Sequence, residues 1–225
     1  MEQLILHNLN VNKTLGDVLQ ENNITFNKFE KYWVIANTEL IGSGYFAKIF
    51  DIGNNKVLKI SKDVNEYNAI KYFQNFIQTA HESDLWFIHT IQLPEIVCPV
   101  NEDFYEHFND GSYGDDKKHI RYYYIYPKLY ALTEEENNFF EDIIYFLGGA
   151  SGFDEIEMDT DIDYYSDLQD EFESKYESLN KDAIFSFVRN VIELNYEHVI
   201  SDMHIGNIMR NKFGDYKLID FQKEI

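Results

Sequence analysis

The chain has 225 residues, of which 44% are hydrophobic and 16% aromatic, enough to bury a core in one large domain or two small lobes. Its 40 acidic residues outnumber its 19 Lys and Arg and give a formal net charge of -21 at pH 7. That surplus argues against direct binding to nucleic acid, which needs a basic surface to displace counterions, and no apolar run is long enough to cross a membrane.

The first 129 residues are predicted to be mostly strands. Residues 1–30 are interpreted as an N-terminal extension, in which Thr14 is a candidate N-cap of a short amphipathic turn. Residues 31–129 are predicted to form a β-rich N-lobe. Within it, residues 32–60 indicate three strands, separated first by two glycines and then by a tight Gly53-Asn54-Asn55 turn.

The rest of this lobe is predicted to hold one helix and one central strand. Apolar residues at helical spacing predict a helix over 64–77; they are Tyr67, Ile70, Phe73 and Ile77. Residues 119–129 are rich in β-formers and stop at Pro127, which indicates a strand running into a connector. Cys98, as the one cysteine, cannot form an internal disulfide and is interpreted as a core residue of a protein in a reducing compartment.

Residues 130–225 are predicted to form a reduced helical C-lobe. One helix is expected from Glu134 onward, and a second over 182–199, with Asp182 as its N-cap. The buried stripe of that second helix is predicted to consist of Ile184, Phe187, Val188 and Val191. Between the helices, residues 154–173 are dense in carboxylates, which is typical of a solvated loop or helix face; the run lacks the glycine pivot of a calcium loop.

Two stretches carry residues suited to phosphate chemistry. Gly42 and Gly44 flank Ser43 between two predicted strands, where missing side chains let backbone N–H groups approach phosphate oxygens. Lys59 lies in the middle of an apolar strand, and a buried ammonium needs an anionic partner. Near the C-terminus, Asp202 and Asn207 are five residues apart, and a predicted hairpin after them brings Asp220 back beside the loop.

These motifs resemble those of the protein kinase-like superfamily, over roughly residues 38–222. "IGSGYFAKIF" and "VLKI" resemble its glycine-rich loop and strand lysine, and "SDMHIGNIMRNKFGDYKLIDFQ" resembles its catalytic loop and metal-binding motif. The resemblance implies an α+β, two-lobed kinase-like fold. The D-x-H-x-x-N pattern that includes His204 is similar to the aminoglycoside phosphotransferase and choline kinase branch.

The resemblance implies ATP and Mg²⁺ as cofactors and assigns the residues that would bind them. The nucleotide-binding set comprises Gly42, Ser43, Gly44, Ile49, Lys59 and Glu66. Within it, Lys59 would hold the α- and β-phosphates and pair with Glu66. In the catalytic loop, Asp202 would orient or deprotonate the acceptor hydroxyl, while Asn207 and Asp220 would hold the metal; Asp202, Asn207 and Lys59 form the catalytic set.

Four departures from the superfamily pattern affect the expected function. Ser201 replaces the Arg before the catalytic Asp, so control through a phosphorylated activation loop is not expected. Gln222 replaces the glycine of D-F-G, and since three residues follow it we expect no activation segment. Ala47 stands in place of a third glycine, and His198 lies four positions before Asp202, further than the histidine of the family's H-R-D, which favours a structural role.

The sequence therefore predicts a phosphotransferase that moves the γ-phosphate of ATP to a hydroxyl, with a protein as the preferred acceptor. A basic protein or a cationic small molecule is the expected acceptor, attracted by the acidic run at 154–173. The location expected is the cytoplasm of its own cell or, for a viral chain, of the host. Two alternatives stay open: a kinase-like binding module that sequesters a partner through its acidic surface, and an unrelated acidic mimic.

Overall fold

A computed structural model describes residues 2–7, 26–28, 32–81, 84–102, 119–149, 152–153, 156, 172, 175–176 and 178–223. The chain divides into two compact units, and the path of the chain crosses between them three times. Unit 1 comprises Met1–Val64 and Pro94–Lys128, and unit 2 comprises Asn65–Leu93 and Leu129–Ile225. The predicted α+β class is confirmed, because strands dominate unit 1 and helices dominate unit 2.

Unit 1 contains an antiparallel sheet in which seven strands are described. They are β1 (Glu2–His7), β2 (Phe26–Lys28), β3 (Tyr32–Ser43), β4 (Ala47–Gly53), β5 (Lys56–Ser61), β6 (Ile96–Glu102) and β7 (His119–Pro127). Their order is β1-β3-β4-β5-β7-β6, and β2 also pairs with β3. The three strands predicted over 32–60 are confirmed, and β7 lies between β5 and β6 as a central strand should.

The turn between β4 and β5 follows from its sequence. Gly53 pairs with Lys56, which leaves Asn54 and Asn55 as a two-residue loop. Both asparagines have positive φ, 51° and 60°, as a type I′ turn requires, and Asn tolerates this left-handed backbone better than most residues. The Asp51 carboxylate accepts a 2.8 Å hydrogen bond from the N–H of Gly53, which fixes the entry to the turn.

The N-terminal part and β6 differ from the sequence-based expectation. Residues 2–7 and 26–28 were expected in an extension, but both segments pair with β3. The predicted N-cap Thr14 lies outside the described residues. The strand β6 was not predicted; it contains Pro99, and at the edge of the described sheet a strand tolerates a residue without an N–H. The side chain of Cys98, in the same strand, also lies outside the described part.

Unit 2 contains three described helices and a short hairpin. The helices are α1 (Val64–Thr79), α2 (Glu134–Phe146) and α3 (Lys181–His198), and the hairpin strands are β8 (Ile208–Arg210) and β9 (Tyr216–Leu218). Single 3₁₀ turns cover Trp86–His89 and Ile205–Asn207. None of the helices in the described residues is long and apolar enough to cross a membrane.

The helices α2 and α3 begin at side-chain caps. A capping box starts α2, in which Thr133 and Glu136 satisfy each other's backbone N–H groups. For α3 the prediction of Asp182 as N-cap was wrong. The cap is Asn180, whose side chain accepts a hydrogen bond from the N–H of Ala183; Asp182 lies in the first turn, where its charge suits the helix dipole.

The core of unit 2 is rich in aromatic side chains. Phe73, Phe87, Phe139, Phe140 and Phe153 are fully buried, and each contributes on the order of 2–3 kcal/mol of hydrophobic stabilisation. The predicted stripe on α3 is confirmed, since Ile184, Phe187, Val188 and Val191 are all buried.

The helix α1 belongs to this unit, although the sequence-based boundaries place it in the N-lobe. Its Phe73 ring packs against Phe87 and Phe221, with ring centroids 5.2 and 5.5 Å apart. Most of the acidic stretch 154–173 lies outside the described residues. Of that stretch the structure describes Ile156 and Phe172, and both are buried in the core of unit 2.

Candidate functional site

The segment from Ser201 to Gln222 in unit 2 contains the β8–β9 hairpin and forms a loop whose two ends are paired with each other. It starts just after α3, whose C-cap Val199 has φ 49° and donates its N–H to the carbonyl of Asn195. Ser201 and Gln222 pair through two backbone hydrogen bonds, of 2.9 and 3.0 Å, which join the two ends of the segment. Both predicted carboxylates, Asp202 and Asp220, therefore lie within a segment whose ends are fixed.

Asp202 and Asp220 both have left-handed backbones, with φ values of 63° and 56°. An L-residue in this region has its Cβ close to a carbonyl oxygen, which costs roughly 1–2 kcal/mol, and less for Asp, whose short side chain can compensate. Such conformations persist where the surroundings determine them, and they concentrate at functional sites. The two residues assigned to proton acceptance and metal binding share this uncommon conformation.

Asn207 connects the two aspartates. Its side-chain Nδ2 donates to the backbone carbonyl of Asp202 at 2.7 Å and to that of Asp220 at 3.4 Å. Its own backbone is also paired, with the carbonyl of His204 and the N–H of Ile219. The side chain is buried, and its NH₂ group is used by these two carbonyls, so that Oδ1 is the acceptor end of the amide.

The carboxylate of Asp202 has an N–H donor on each side. Gln222 Nε2 donates to Oδ2 at 3.2 Å, and His204 Nε2 lies 3.5 Å from Oδ1. The ring nitrogen Nδ1 of His204 accepts from the N–H of Gly206, so in the neutral ring Nε2 carries the proton. The Asp202 side chain is 38% exposed, which leaves it accessible to a ligand.

Gly206 is a site residue that the sequence analysis missed. A Cβ at this position would lie 2.9 Å from Cε1 of His204, closer than real Cβ contacts come, and 3.0 Å from its Nδ1, which is tighter than most. The missing side chain therefore lets the His204 ring lie against the loop. The signal available in the sequence was the glycine directly before Asn207.

A buried carboxylate from α2 supports the hairpin. Glu136 Oε1 accepts from Tyr216 Oη at 2.8 Å and lies 3.2 Å from Arg210 Nη1, so that it contacts one residue of each strand. Oε2 accepts from the N–H and the hydroxyl of Thr133. Burial alone would raise the pKa of Glu136, but these hydrogen bonds and the charge of Arg210 outweigh it and lower the pKa. Burial and the bond to Glu136 raise the pKa of Tyr216.

His198, the last residue of α3, is buried among aromatic rings. Its Nδ1 lies 3.0 Å from the hydroxyl of Tyr72, and its backbone carbonyl accepts from Lys223 Nζ. The rings of Phe73 and Phe87 lie edge-on to it, with ring centroids 5.3 and 5.1 Å away. Burial lowers the pKa of His198, which keeps the ring neutral. These contacts link α3 to α1 and to the end of the loop.

In unit 1 the predicted phosphate-binding residues share strands β3, β4 and β5. Gly42 and Ser43 end β3, and Gly44 begins the turn to β4 with its N–H donated to the carbonyl of Ala47 at 2.8 Å. A Cβ at Gly42 would touch Ile49, its cross-strand partner, at 3.4 Å. At Gly44 no atom lies within 4 Å of that position, so the backbone there is open.

Lys59 and Glu66 are both buried polar residues. Lys59 lies in β5, is 5% exposed, and is in register with Ile49 on β4 and Tyr124 on β7. Glu66 is the third residue of α1 and is 1% exposed. Within unit 1 the structure brings together Gly42, Ser43, Gly44, Ile49 and Lys59; within unit 2 it brings together Asp202, Asn207 and Asp220, and Glu66 also lies there.

The predicted metal ligands fit Mg²⁺ by their chemistry. In the described part of the chain, no group of three or more His, Cys, Asp or Glu could hold a metal ion. Mg²⁺ typically takes one or two protein oxygens together with waters and substrate phosphates. Asp220 supplies a carboxylate and Asn207 an amide oxygen, a donor set of that kind.

Comparison with known proteins found no family model and no curated protein that matches this chain.

Proposed function

We propose that this protein is an ATP- and Mg²⁺-dependent phosphotransferase that moves the γ-phosphate to a hydroxyl acceptor, in the first place on a protein. The observation that carries the proposal is the pair of left-handed aspartates whose backbones share the amide of Asn207. This arrangement holds two carboxylates and one amide oxygen in one loop, a combination suited to a cation and a polar acceptor.

Asp202 is assigned to the acceptor hydroxyl, because its carboxylate is partly exposed and faces polar groups. In the transfer, the hydroxyl oxygen bonds to the γ-phosphorus, and the bond from that phosphorus to the bridging oxygen breaks, so that ADP leaves with the electron pair. The hydroxyl proton passes to Asp202. Asn207 and Asp220 would hold Mg²⁺, whose charge would offset that of the phosphates.

Unit 1 is assigned to the phosphates and the rest of the nucleotide. The support there is the uncrowded backbone at Gly44 and the burial of Lys59 in a strand interior. An ammonium in such a place is stabilised by anionic groups. Ile49, across from Gly42, is assigned to the apolar surface under the nucleotide, as the resemblance implies.

The test is incubation with γ-labelled ATP and Mg²⁺, alone and with a proteome extract, for the wild type and Asp202→Asn. We expect the variant to lose transfer by about 100-fold or more while it still binds MgATP, because it loses acceptor positioning and proton acceptance rather than phosphate contacts. Glu141→Gln, at an exposed position of α2, is the matched control and should transfer like the wild type.

Two outcomes would count against the proposal in different ways. Equal transfer by the wild type and Asp202→Asn would remove Asp202 from the role of proton acceptor. If the wild type binds MgATP but labels no acceptor in any extract, turnover is excluded, and the chain is a kinase-like binding module.

A further inference from the structure

Gln222 lies next to Asp202 although the two residues are 20 positions apart in the sequence. The backbone of Gln222 pairs on both sides with Ser201, the residue directly before Asp202, through hydrogen bonds of 2.9 and 3.0 Å. Its side chain then donates Nε2 to Asp202 Oδ2 at 3.2 Å. Three hydrogen bonds therefore connect Gln222 to two consecutive residues of the loop.

This contact restrains the carboxylate without adding a charge. An aspartate side chain can rotate about two bonds, and a hydrogen bond to one oxygen restricts both rotations. An amide donor achieves this while the carboxylate keeps its negative charge and its second oxygen. A lysine or arginine at the same place would instead form an ion pair with Asp202 and compete with the substrate hydroxyl for its second carboxylate oxygen.

We propose that Gln222 is a positioning residue for Asp202, which fixes Oδ2 so that Oδ1 is the oxygen presented to the acceptor hydroxyl. This inference rests on the proposed phosphotransfer. His204 Nε2 lies 3.5 Å from Oδ1, a longer and weaker contact that a hydroxyl can displace. The hydroxyl proton is therefore transferred to Oδ1, while Oδ2 keeps its bond to Gln222.

The contact is particular to this chain rather than a feature of the D-F-G pattern. Gln222 stands where that pattern has glycine, and a glycine has no side chain to reach Asp202. The backbone pairing with Ser201 would survive the loss of the side chain, because it uses main-chain atoms alone. A substitution at position 222 can therefore separate the positioning of Asp202 from the closure of the loop.

The experiment is a double-mutant cycle with Gln222→Met, which keeps the length of the side chain but removes the donor, and Asp202→Ala. We expect Gln222→Met to lower kcat about tenfold with KM for ATP within about twofold, since it disturbs the acceptor side and not the nucleotide. In the Asp202→Ala background it should cause no further loss. Gln78→Met, at an exposed position of α1, is the control and should leave both constants unchanged.

Thermal melting of the wild type, Gln222→Met, Asp202→Ala and the double variant gives a readout that does not depend on turnover. Because the two side chains share a hydrogen bond, the shifts in Tm of the single variants should not add in the double variant. Additive shifts, or an unchanged kcat for Gln222→Met, would overturn the positioning role. A wild type that transfers no phosphate would overturn the proposed function instead, and the melting cycle would still decide whether Gln222 restrains Asp202.

Discussion

Two regions of the molecule hold pairs of polar residues in left-handed backbone conformations, for different reasons. In the β4–β5 turn, Asn54 and Asn55 have φ values of 51° and 60°, because a two-residue hairpin needs that geometry. In the loop of unit 2, Asp202 and Asp220 have similar φ values, but neither lies in the turn of the β8–β9 hairpin.

The difference is in what maintains the conformation. The turn is set by strand pairing and would form with glycine in place of its asparagines. In the loop, the amide of Asn207 binds the carbonyls of both aspartates, and the Ser201–Gln222 pair fixes the ends. Left-handed backbone therefore serves strand pairing in the β4–β5 turn, and at Asp202 and Asp220 it places two carboxylates in one loop.

The largest effect on stability is expected from Asn207→Leu. The change removes the donor that the carbonyls of Asp202 and Asp220 share, which should lower the free energy of unfolding by about 2–3 kcal/mol. It should also abolish stabilisation by MgATP, since a metal ligand is lost. Urea unfolding with and without MgATP measures both. Asn138→Leu on α2, which is exposed, is the control, and an equal loss in both variants would show that the amide does not hold the loop.

A second test uses pH, because the two regions are anchored by groups that titrate differently. Burial lowers the pKa of His198, so protonation favours the unfolded chain and the stability falls as pH drops below the ordinary value of 6.5. At the turn, the hydrogen bond from Lys128 lowers the pKa of Asp51, so its contribution is present above the ordinary value of 3.8 and lost as pH falls below it.

Between pH 7.5 and 5.5, we expect His198, and not Asp51, to change its protonation state and so to affect stability. We expect Tm of the wild type to fall over this range, and the Tm of His198→Leu to fall less, because it has no buried imidazole to protonate. Asp51→Asn should fall as much as the wild type. If His198→Leu and the wild type lose the same number of degrees, protonation of His198 does not weaken the loop.

The smallest effect is expected in the turn itself. Asn55→Gly creates Asn-Gly, the preferred sequence of a type I′ turn, and should change the free energy of unfolding by about 0.5 kcal/mol or less. Stabilisation by MgATP should stay as in the wild type. A large loss of stability would show that the Asn55 side chain does more than tolerate the backbone, and would weaken the contrast between the two regions.

The sequence predicted those elements whose signals are local. The Gly53-Asn54-Asn55 turn, the stripe on α3 and the β8–β9 hairpin were read from spacing and turn residues, and the structure confirms them. Strand β6 was not predicted, although it pairs with β7, the next described strand along the chain; it contains Pro99, a residue that is uncommon inside strands. The cap of α3 was misplaced by two residues, since Asn180 and Asp182 both have side chains that can cap a helix.

The site was predictable in part for the same reason. The five-residue spacing and the hairpin bring Asp202, Asn207 and Asp220 into one loop, as expected. The contact between Gln222 and Asp202 has no local signal, because it depends on a backbone pair across 20 residues. Glu136 and Tyr216 are 80 residues apart, so their bond could not be read from the chain either.

The most direct test of the central claim is the melting temperature of Asp220→Gly with and without saturating MgATP. Glycine relieves the left-handed backbone, so without nucleotide the variant should melt about 2–4 °C above the wild type. MgATP should raise the Tm of the wild type by mass action and leave the variant unchanged, because its metal ligand is gone. A wild type indifferent to MgATP, or a variant that keeps the full shift, would contradict the account.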